Sequence, residues 1–228
     1  MWELSRPDNP LMGQVPAAGQ YGQVQALFDH GRLIAVHTSV QIGTGAGGSA
    51  AARLSVDHPF AREYAERIGA ELAWHGGLTL DYFHVDGHPQ FIECNPRTVE
   101  PGNAAAAGAD LPALTIALSS GRPSPAQPVV GRAGVRTRSA LALALGAAER
   151  GNSRLAVAGV LASCALSRGN LGRAVEVLTP VRRDPMSVIP LTVTASRLLA
   201  RPGDAGRIAA AAVEDYSISP SVIARVRP

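Results

Sequence analysis

Residues 91–103, FIECNPRTVEPGN, carry Glu93, Asn95 and Arg97 at alternate positions behind the apolar pair Phe91-Ile92. Side chains alternate across a strand, so a carboxylate, an amide and a guanidinium fall on one face. Carboxylate and amide oxygens ligate hard divalent cations, and a guanidinium forks onto phosphate or carboxylate. Pro101 and Gly102 then break the run.

The segment upstream, LTLDYFHVDGHPQ, turns this strand into a hairpin around Asp86-Gly87. Thr79, Asp81 and Phe83 share one face of the first strand, with Leu80 and Tyr82 on the other. On the second strand Ile92 and Cys94 oppose Phe91, Glu93 and Asn95, which points Cys94 to the core as an inert small hydrophobe. A loop centred on Gly87 sets Asp81 opposite Glu93 and Phe83 opposite Phe91, gathering the apolar set on the core side. A plain two-residue turn would set Asp81 opposite Ile92 and mix the faces. Two facing carboxylates repel, by roughly 0.2 to 1 kcal/mol or through a raised pKa of one of them. A divalent cation removes that cost, and magnesium takes one or two carboxylates together with phosphate oxygens. Asp81, Glu93 and the carbonyl oxygen of Asn95 form such a set; the plainer reading is a solvated sheet face.

Other elements must hold this hairpin. Gln23 to Phe28 and Leu33 to Thr38 flank the turn-rich Asp29-His30-Gly31-Arg32, which predicts a second hairpin. The run DHPFAREYAERIGAELAWHGG predicts a helix with Asp57 as N-cap, Pro59 in the first turn, Phe60, Tyr64, Ile68 and Leu72 every fourth residue, and Gly76-Gly77 as the stop. Asp110 to Ser120 predicts another, ended by Gly121. The stretch GRPSPAQPVVGRAG, residues 121 to 134, reads as a linker with three prolines and three glycines. Beyond it, segments near 138 to 149, 153 to 168, 170 to 179, 186 to 200 and 204 to 215 have helical spacing. Glu149-Arg150-Gly151-Asn152 and Ser167-Arg168-Gly169-Asn170 read as C-caps. The expected organisation is residues 1–121, a linker over 122–137 and a helical domain over 138–228. The fold class is α+β, an antiparallel sheet with flanking helices followed by an all-α region.

Composition narrows the function. With 46% hydrophobic residues the 228-residue chain can bury a core, and only 4% aromatic content makes that core small and aliphatic. The net charge of +3 is scattered without a basic run, which speaks against nucleic-acid binding. All 21 basic residues are arginine, so lysine chemistry is excluded. Cys94 and Cys164 form no CxxC or His/Cys cluster, which suits a reducing cytoplasm and argues against a zinc site. The charged N-terminal residues Glu3, Arg6 and Asp8 are unlike a signal peptide, and the apolar stretches 139–148 and 155–166 are too short to span a bilayer, so no membrane role is expected. His84 and His88 flank the hairpin turn and are expected to face solvent.

With an acid twelve residues before the glutamate of Glu-x-Asn-Pro-Arg, LDYFHVDGHPQFIECNPR resembles the metal-binding end of the ATP-grasp superfamily. Biotin carboxylase and the large subunit of carbamoyl phosphate synthetase are well-known members. The likeness runs from about Leu11 to Gly121. It implies that Asp81 and Glu93 bind the magnesium (or manganese) ions bridging the ATP phosphates, that Asn95 completes the second metal, and that Arg97 holds an anionic intermediate. It also implies an acyl phosphate formed from a small carboxylate substrate and then attacked by a nucleophile. Leu11 to Val15 aligns with the adenine-binding hinge, giving Gln14 and Val15 to the nucleotide, although an acidic residue is usual at the position of Gln14.

Glu100 and Asn103 are open to two readings, contact with substrate (with Glu100 as a base) or a turn with a polar rim. The loop GTGAGGS, residues 43 to 49, lacks the Gly-Lys-Ser/Thr of a phosphate-binding loop and reads as a mobile lid or a plain connector. The family's first subdomain supplies lysines to the phosphates, and this chain has neither that subdomain nor any lysine. The expectation is an ATP-grasp ligase that is either N-terminally truncated or has its missing parts supplied by another polypeptide. The alternative is a non-catalytic remnant that serves as a binding module through its C-terminal helices.

Overall fold

In the computed structural model, which describes residues 15–214 and residue 225, the first alternating run forms β1 (Gln20–Asp29) and returns as β2 (Arg32–Thr44). The turn between them, His30-Gly31, has both φ values positive, at 48° and 86°, as a tight two-residue hairpin requires. β3 (Ala50–Ser55), α1 (Pro59–Glu71), β4 (Gly76–Val85) and β5 (His88–Asn95) follow. After β5 come α2 (Pro101–Ala106), α3 (Leu111–Ser119), β6 (Val129–Val130) and β7 (Arg136–Arg138). The remainder is α4 (Ala140–Gly151), α5 (Arg154–Ala165), α6 (Gly169–Gly172), β8 (Val175–Glu176), α7 (Val188–Ala200) and α8 (Ala205–Glu214).

The sheet runs β5-β4-β1-β2-β3-β7-β8, with β6 beside β2. Its five long strands pair antiparallel, as the fold class expects, while β2 with β6 and β7 with β8 pair parallel, so the sheet is mixed. The Pro/Gly-rich stretch therefore contributes strand residues at 129–130, and the expected linker runs on into a further strand at 136–138.

One face of the sheet buries Val24, Ala26, Phe28, Val36, Leu78, Leu80 and Tyr82 against α1. The helix buries its smallest residues, Ala61, Ala65 and Gly69, and of the predicted stripe Ile68 packs half-buried against this core while Phe60 and Leu72 are exposed. Close approach explains this: a Cβ on Gly69 would stand 2.2 Å from a Phe28 ring carbon. The cap also differs from expectation, because His58, not Asp57, accepts the Ala61 N–H through Nδ1 at 3.3 Å. The opposite face is apolar at one end, where Leu27, Ile34 and Ala35 pack against Ala104, Ala109 and Leu111, and polar at the other.

The helices after residue 138 share a core with β3, in which Ala51 and Ala52 meet Ala140, Leu143 and Cys164. A second cluster joins α4, α5, α7 and α8 through Ala144, Val157, Leu198 and Ala205. Ser139 and Ser153 cap α4 and α5, and Asn152 ends α4 in the left-handed region. The glycine loop is tied to α4, with Glu149 accepting the Gly47 N–H at 2.7 Å and Arg150 donating to the Thr44 carbonyl at 3.0 Å. Among the described residues no helix is long and apolar enough to cross a membrane.

Candidate functional site

Asp81 lies directly opposite Glu93 on the β4–β5 ladder, and Thr79 lies opposite Asn95. The hairpin reaches this register by a different route from the predicted loop. Asp86 and Gly87 form a tight turn with φ of 49° and 87°, so near the turn Tyr82 pairs with Phe91 and Phe83 with Gln90. A register shift between Asp81 and Tyr82 leaves Ile92 as the extra residue, and beyond it the pairing becomes Asp81 with Glu93. The predicted Phe83–Phe91 pair is therefore replaced by Tyr82–Phe91, whose rings stand edge-on at 6.1 Å. β5 is an edge strand, so Cys94 is exposed and not in the core, whereas Cys164 is buried.

Asp81 is 7% exposed, and its Oδ1 accepts the Gln23 amide at 2.9 Å. Glu93 is exposed and Asn95 half-buried, so the three oxygen-bearing groups run from the sheet interior to its edge. Arg97 is exposed just beyond. Its loop is pinned from beneath: the buried Thr79 hydroxyl donates to the Arg97 carbonyl at 2.9 Å and accepts the Val99 N–H at 3.1 Å. Gln25 donates to the carbonyls of Val99 and Glu100, the latter at 3.0 Å. The loop needs Gly77 beneath it, where a Cβ would meet Thr98 Oγ1 at 2.3 Å.

Glu100 begins α2 with φ of 48° and accepts Arg53 Nε at 2.9 Å and Asn103 Nδ2 at 3.2 Å. Thr137 fixes Asn103 in turn at 2.6 Å. Arg53 is almost wholly buried and lies 5.5 Å over the Tyr21 ring. Burial and then the Asp81 charge push the Tyr21 phenol up to about 12, against the opposing pull of Arg53. Arg53 thus stands between the Asp81 face and a cavity of about 300 Å³ lined by Ala52, Glu100, Asn103, Ser139 and Val177 among others. Three buried polar atoms on this face, Arg53 Nη1, Gln23 Oε1 and Ser39 Oγ, have no partner among the described residues.

His37 closes the polar face. Gln25 spends its amide N–H groups on the loop carbonyls, so its Oε1, 2.8 Å from His37 Nδ1, accepts a hydrogen bond from the N–H at that nitrogen. Nε2 then accepts from Ser55 Oγ at 2.8 Å. Burial, with the Arg53 charge added, pulls this imidazole down to about 4.

Sequence reasoning named Asp81, Glu93, Asn95, Arg97 and Glu100, and the structure gathers them at one end of the sheet. It missed Tyr21, Gln23, Gln25, His37 and Arg53. A signal was present: Tyr21, Gln23 and Gln25 recur with period two inside a strand whose other face is apolar from Gly22 to Phe28. Gln14 lies outside the described residues, and Val15 is 88% exposed. His84 is not simply solvent-facing as expected, because its Nδ1 lies 2.9 Å from His58 Nε2.

No family model matches the chain, and no curated protein does. Among solved structures, it is similar to N5-carboxyaminoimidazole ribonucleotide synthetase from Thermus thermophilus, at 16% identity over 54% of this chain and 35% of that one, with a TM-score of 0.37. It is similar to an ATP-grasp superfamily protein from Archaeoglobus fulgidus, at 19% identity over 52% and 38%, with a TM-score of 0.34. It is also similar to D-alanine–D-alanine ligase from Bacillus anthracis, at 18% identity over 46% and 40%, with a TM-score of 0.28. The chain spans between 35% and 40% of the length of these structures, and about half of it is similar to part of an ATP-grasp protein.

Proposed function

We propose that this chain binds ATP with magnesium, or manganese, over the polar face of the sheet and activates a small carboxylate as its acyl phosphate. The direct opposition of Asp81 and Glu93 carries this reading. The donor set fits the ion: every candidate ligand atom is an oxygen, the Asp81 carboxylate is buried, and no ion pair to it occurs among the described residues. Asp81 and Glu93 would hold the metal, with Asn95 Oδ1 beside them. When bound, the metal neutralises charge on the phosphates.

The chain's own residues supply orientation. A carboxylate in the cavity beside Ala52 and Ser139 would meet Arg53, whose Nη1 has no partner among the described residues, while Glu100, which also lines that cavity, accepts from Arg53 Nε. A carboxylate oxygen attacks the γ-phosphorus, the bond to the bridging oxygen breaks, and ADP leaves with that electron pair. Arg97, exposed on its pinned loop, is the fork for the transferred phosphoryl group. A nucleophile then attacks the acyl carbon and releases phosphate. Positioning and charge neutralisation lower such barriers most. A lysine-bearing partner polypeptide would complete the phosphate contacts, since the chain has no lysine.

Water-proton relaxation with Mn²⁺ and ATP detects weak sites and tests the proposal. Wild-type protein is expected to show ATP-dependent enhancement that Asp81→Asn and Glu93→Ala each abolish. Equal enhancement in all three proteins, or none in the wild type, overturns the reading. The second reading, an interaction module with an idle nucleotide face, is favoured by exposed apolar side chains on the C-terminal helices, including Leu155 at 85% and Val193 at 63%. It expects no metal response from any of the three.

A further inference from the structure

The turn between β1 and β2 and the loop between α1 and β4 meet at the end of the sheet remote from Asp81. Gln23 pairs with Asp81, and Asp29 lies six residues further along β1, about 20 Å away at the rise of a strand. Three side chains converge there. Asp29, His30 and His75 each offer one ligand atom, and these atoms lie within 4.8 Å of one another. We propose that Asp29, His30 and His75 form a binding site for a zinc-class divalent ion that clips the two loops together.

The carboxylate is already divided for such a role. Its Oδ2 accepts Arg32 Nη2 at 3.3 Å, while Oδ1 faces His75 Nδ1 at 3.5 Å. Two ligand atoms each about 2.0 to 2.1 Å from a tetrahedral ion stand roughly 3.4 Å apart, so the Asp29–His75 spacing admits zinc with little movement. Arg32 is then the outer partner that orients a ligating carboxylate through its other oxygen. The His30 and His75 rings stack at 4.3 Å with 26° between their planes, and both are exposed, which leaves an entry path and an open coordination position.

The backbone presents these groups on a braced frame. Gly31 donates to the Trp74 carbonyl at 2.7 Å, joining the two loops directly. His30 and its neighbour Gly31 hold left-handed φ values of 48° and 86°, and Ala73 and Gly76, which bracket Trp74 and His75, have φ of 45° and 103°. Two imidazoles and one carboxylate suit zinc, nickel, copper or ferrous iron over magnesium, which separates this site chemically from the all-oxygen set at Asp81. The site depends in no way on the nucleotide reading.

Calorimetric titration of Zn²⁺ into full-length protein carrying Cys94→Ser, which removes the exposed thiol, tests the proposal. One ion per chain is expected, with Mg²⁺ failing to compete. At a hundredfold excess over Kd, the Tm is expected to rise by about 5 °C or more. His30→Asn keeps a residue that tolerates positive φ, and combined with His75→Gln it is expected to weaken binding at least tenfold while the far-ultraviolet circular dichroism is unchanged. The pair His58→Asn and His84→Gln is the control and is expected to bind zinc as the parent does. Undiminished binding in the His30/His75 variant, loss of binding in the control, or no zinc response in the parent overturns the assignment.

Discussion

Asp81 and Glu93 face each other across the β4–β5 ladder only because Ile92 is accommodated as an extra residue between them and the hairpin turn. Deleting Ile92 would join Phe91 directly to Glu93, so that regular pairing continues from Tyr82–Phe91 to Asp81–Glu93 and the bulge disappears with the two acids still opposed. The deletion is expected to retain ATP-dependent Mn²⁺ relaxation and the α1 core, checked by thermal unfolding alongside the relaxation titration, and loss of the relaxation response with the fold intact would count against the opposition as the feature that binds metal. In the absence of metal, Glu93→Gln removes the facing like charge and is expected to stabilise the protein by roughly 0.2 to 1 kcal/mol, read from urea unfolding. A loss of stability in that variant would count against the repulsion.

Arg53 and Glu100 form an unequal pair, the guanidinium 4% and the carboxylate 47% exposed. Removing the carboxylate strands a buried cation, whereas removing the cation leaves a carboxylate that reaches water. Glu100→Ala is expected to cost about 2 kcal/mol, below the roughly 3 to 5 kcal/mol of a fully buried pair. Arg53→Met is expected to cost less. Chemical denaturation of both variants decides it, and the reverse order would refute the asymmetry.

His37 sets a pH dependence whose sign follows from its tautomer. Both ring nitrogens are engaged with the imidazole neutral, and its folded pKa is about 4 against an ordinary 6.5. The unfolded chain therefore binds the proton more readily than the folded one, and stability rises with pH between about 4 and 6.5. It is complete above the ordinary histidine value and falls as pH drops toward the folded one, by about 3 kcal/mol at most. His37→Gln is expected to lower stability at neutral pH yet flatten the dependence across this window. Urea unfolding at half-unit pH steps measures the slope.

Gly77 sits where the loop bearing Arg97 crosses β4. Gly77→Ala places a methyl group 2.3 Å from Thr98 Oγ1 and 2.9 Å from Thr98 N. The backbone nitrogen cannot rotate away, so the loop itself must shift. The expected cost is about 1 to 3 kcal/mol together with weaker ATP-dependent relaxation. Gly47→Ala, where a Cβ meets nothing within 4 Å, is a steric control outside the site, with its own strain confined to a φ of 61°.

Much of the site was legible because a hairpin is local. Period-two alternation through Thr79, Asp81 and Phe83 and the alternate Glu93, Asn95 and Arg97 pointed to the two acids facing each other, although the expected loop centred on Gly87 is in the structure a tight turn corrected by the bulge at Ile92. The same alternation misplaced Cys94, because nothing in it says that β5 is an edge strand. It also misjudged α1, where Phe60 and Leu72 satisfy the helical period but Gly69 against Phe28 decides which face packs.

The sequence by itself determined the α+β class, the hairpins at His30-Gly31 and Asp86-Gly87, the exclusion of lysine chemistry and the oxygen-rich pair Asp81 and Glu93. These follow from residue type and near-neighbour spacing, which bonded geometry converts directly into faces and turns. Only the tertiary structure decided that Arg53 meets Glu100, that Thr79 and Gln25 pin the Arg97 loop, and that Asp29 and His30 stand beside His75. Each of those contacts joins distant stretches of chain: burial within the sheet drives Arg53, Thr79 and Gln25 to find partners, and the pairing of β1 with β2 and β4 brings the turn at Asp29 and His30 beside the loop at His75.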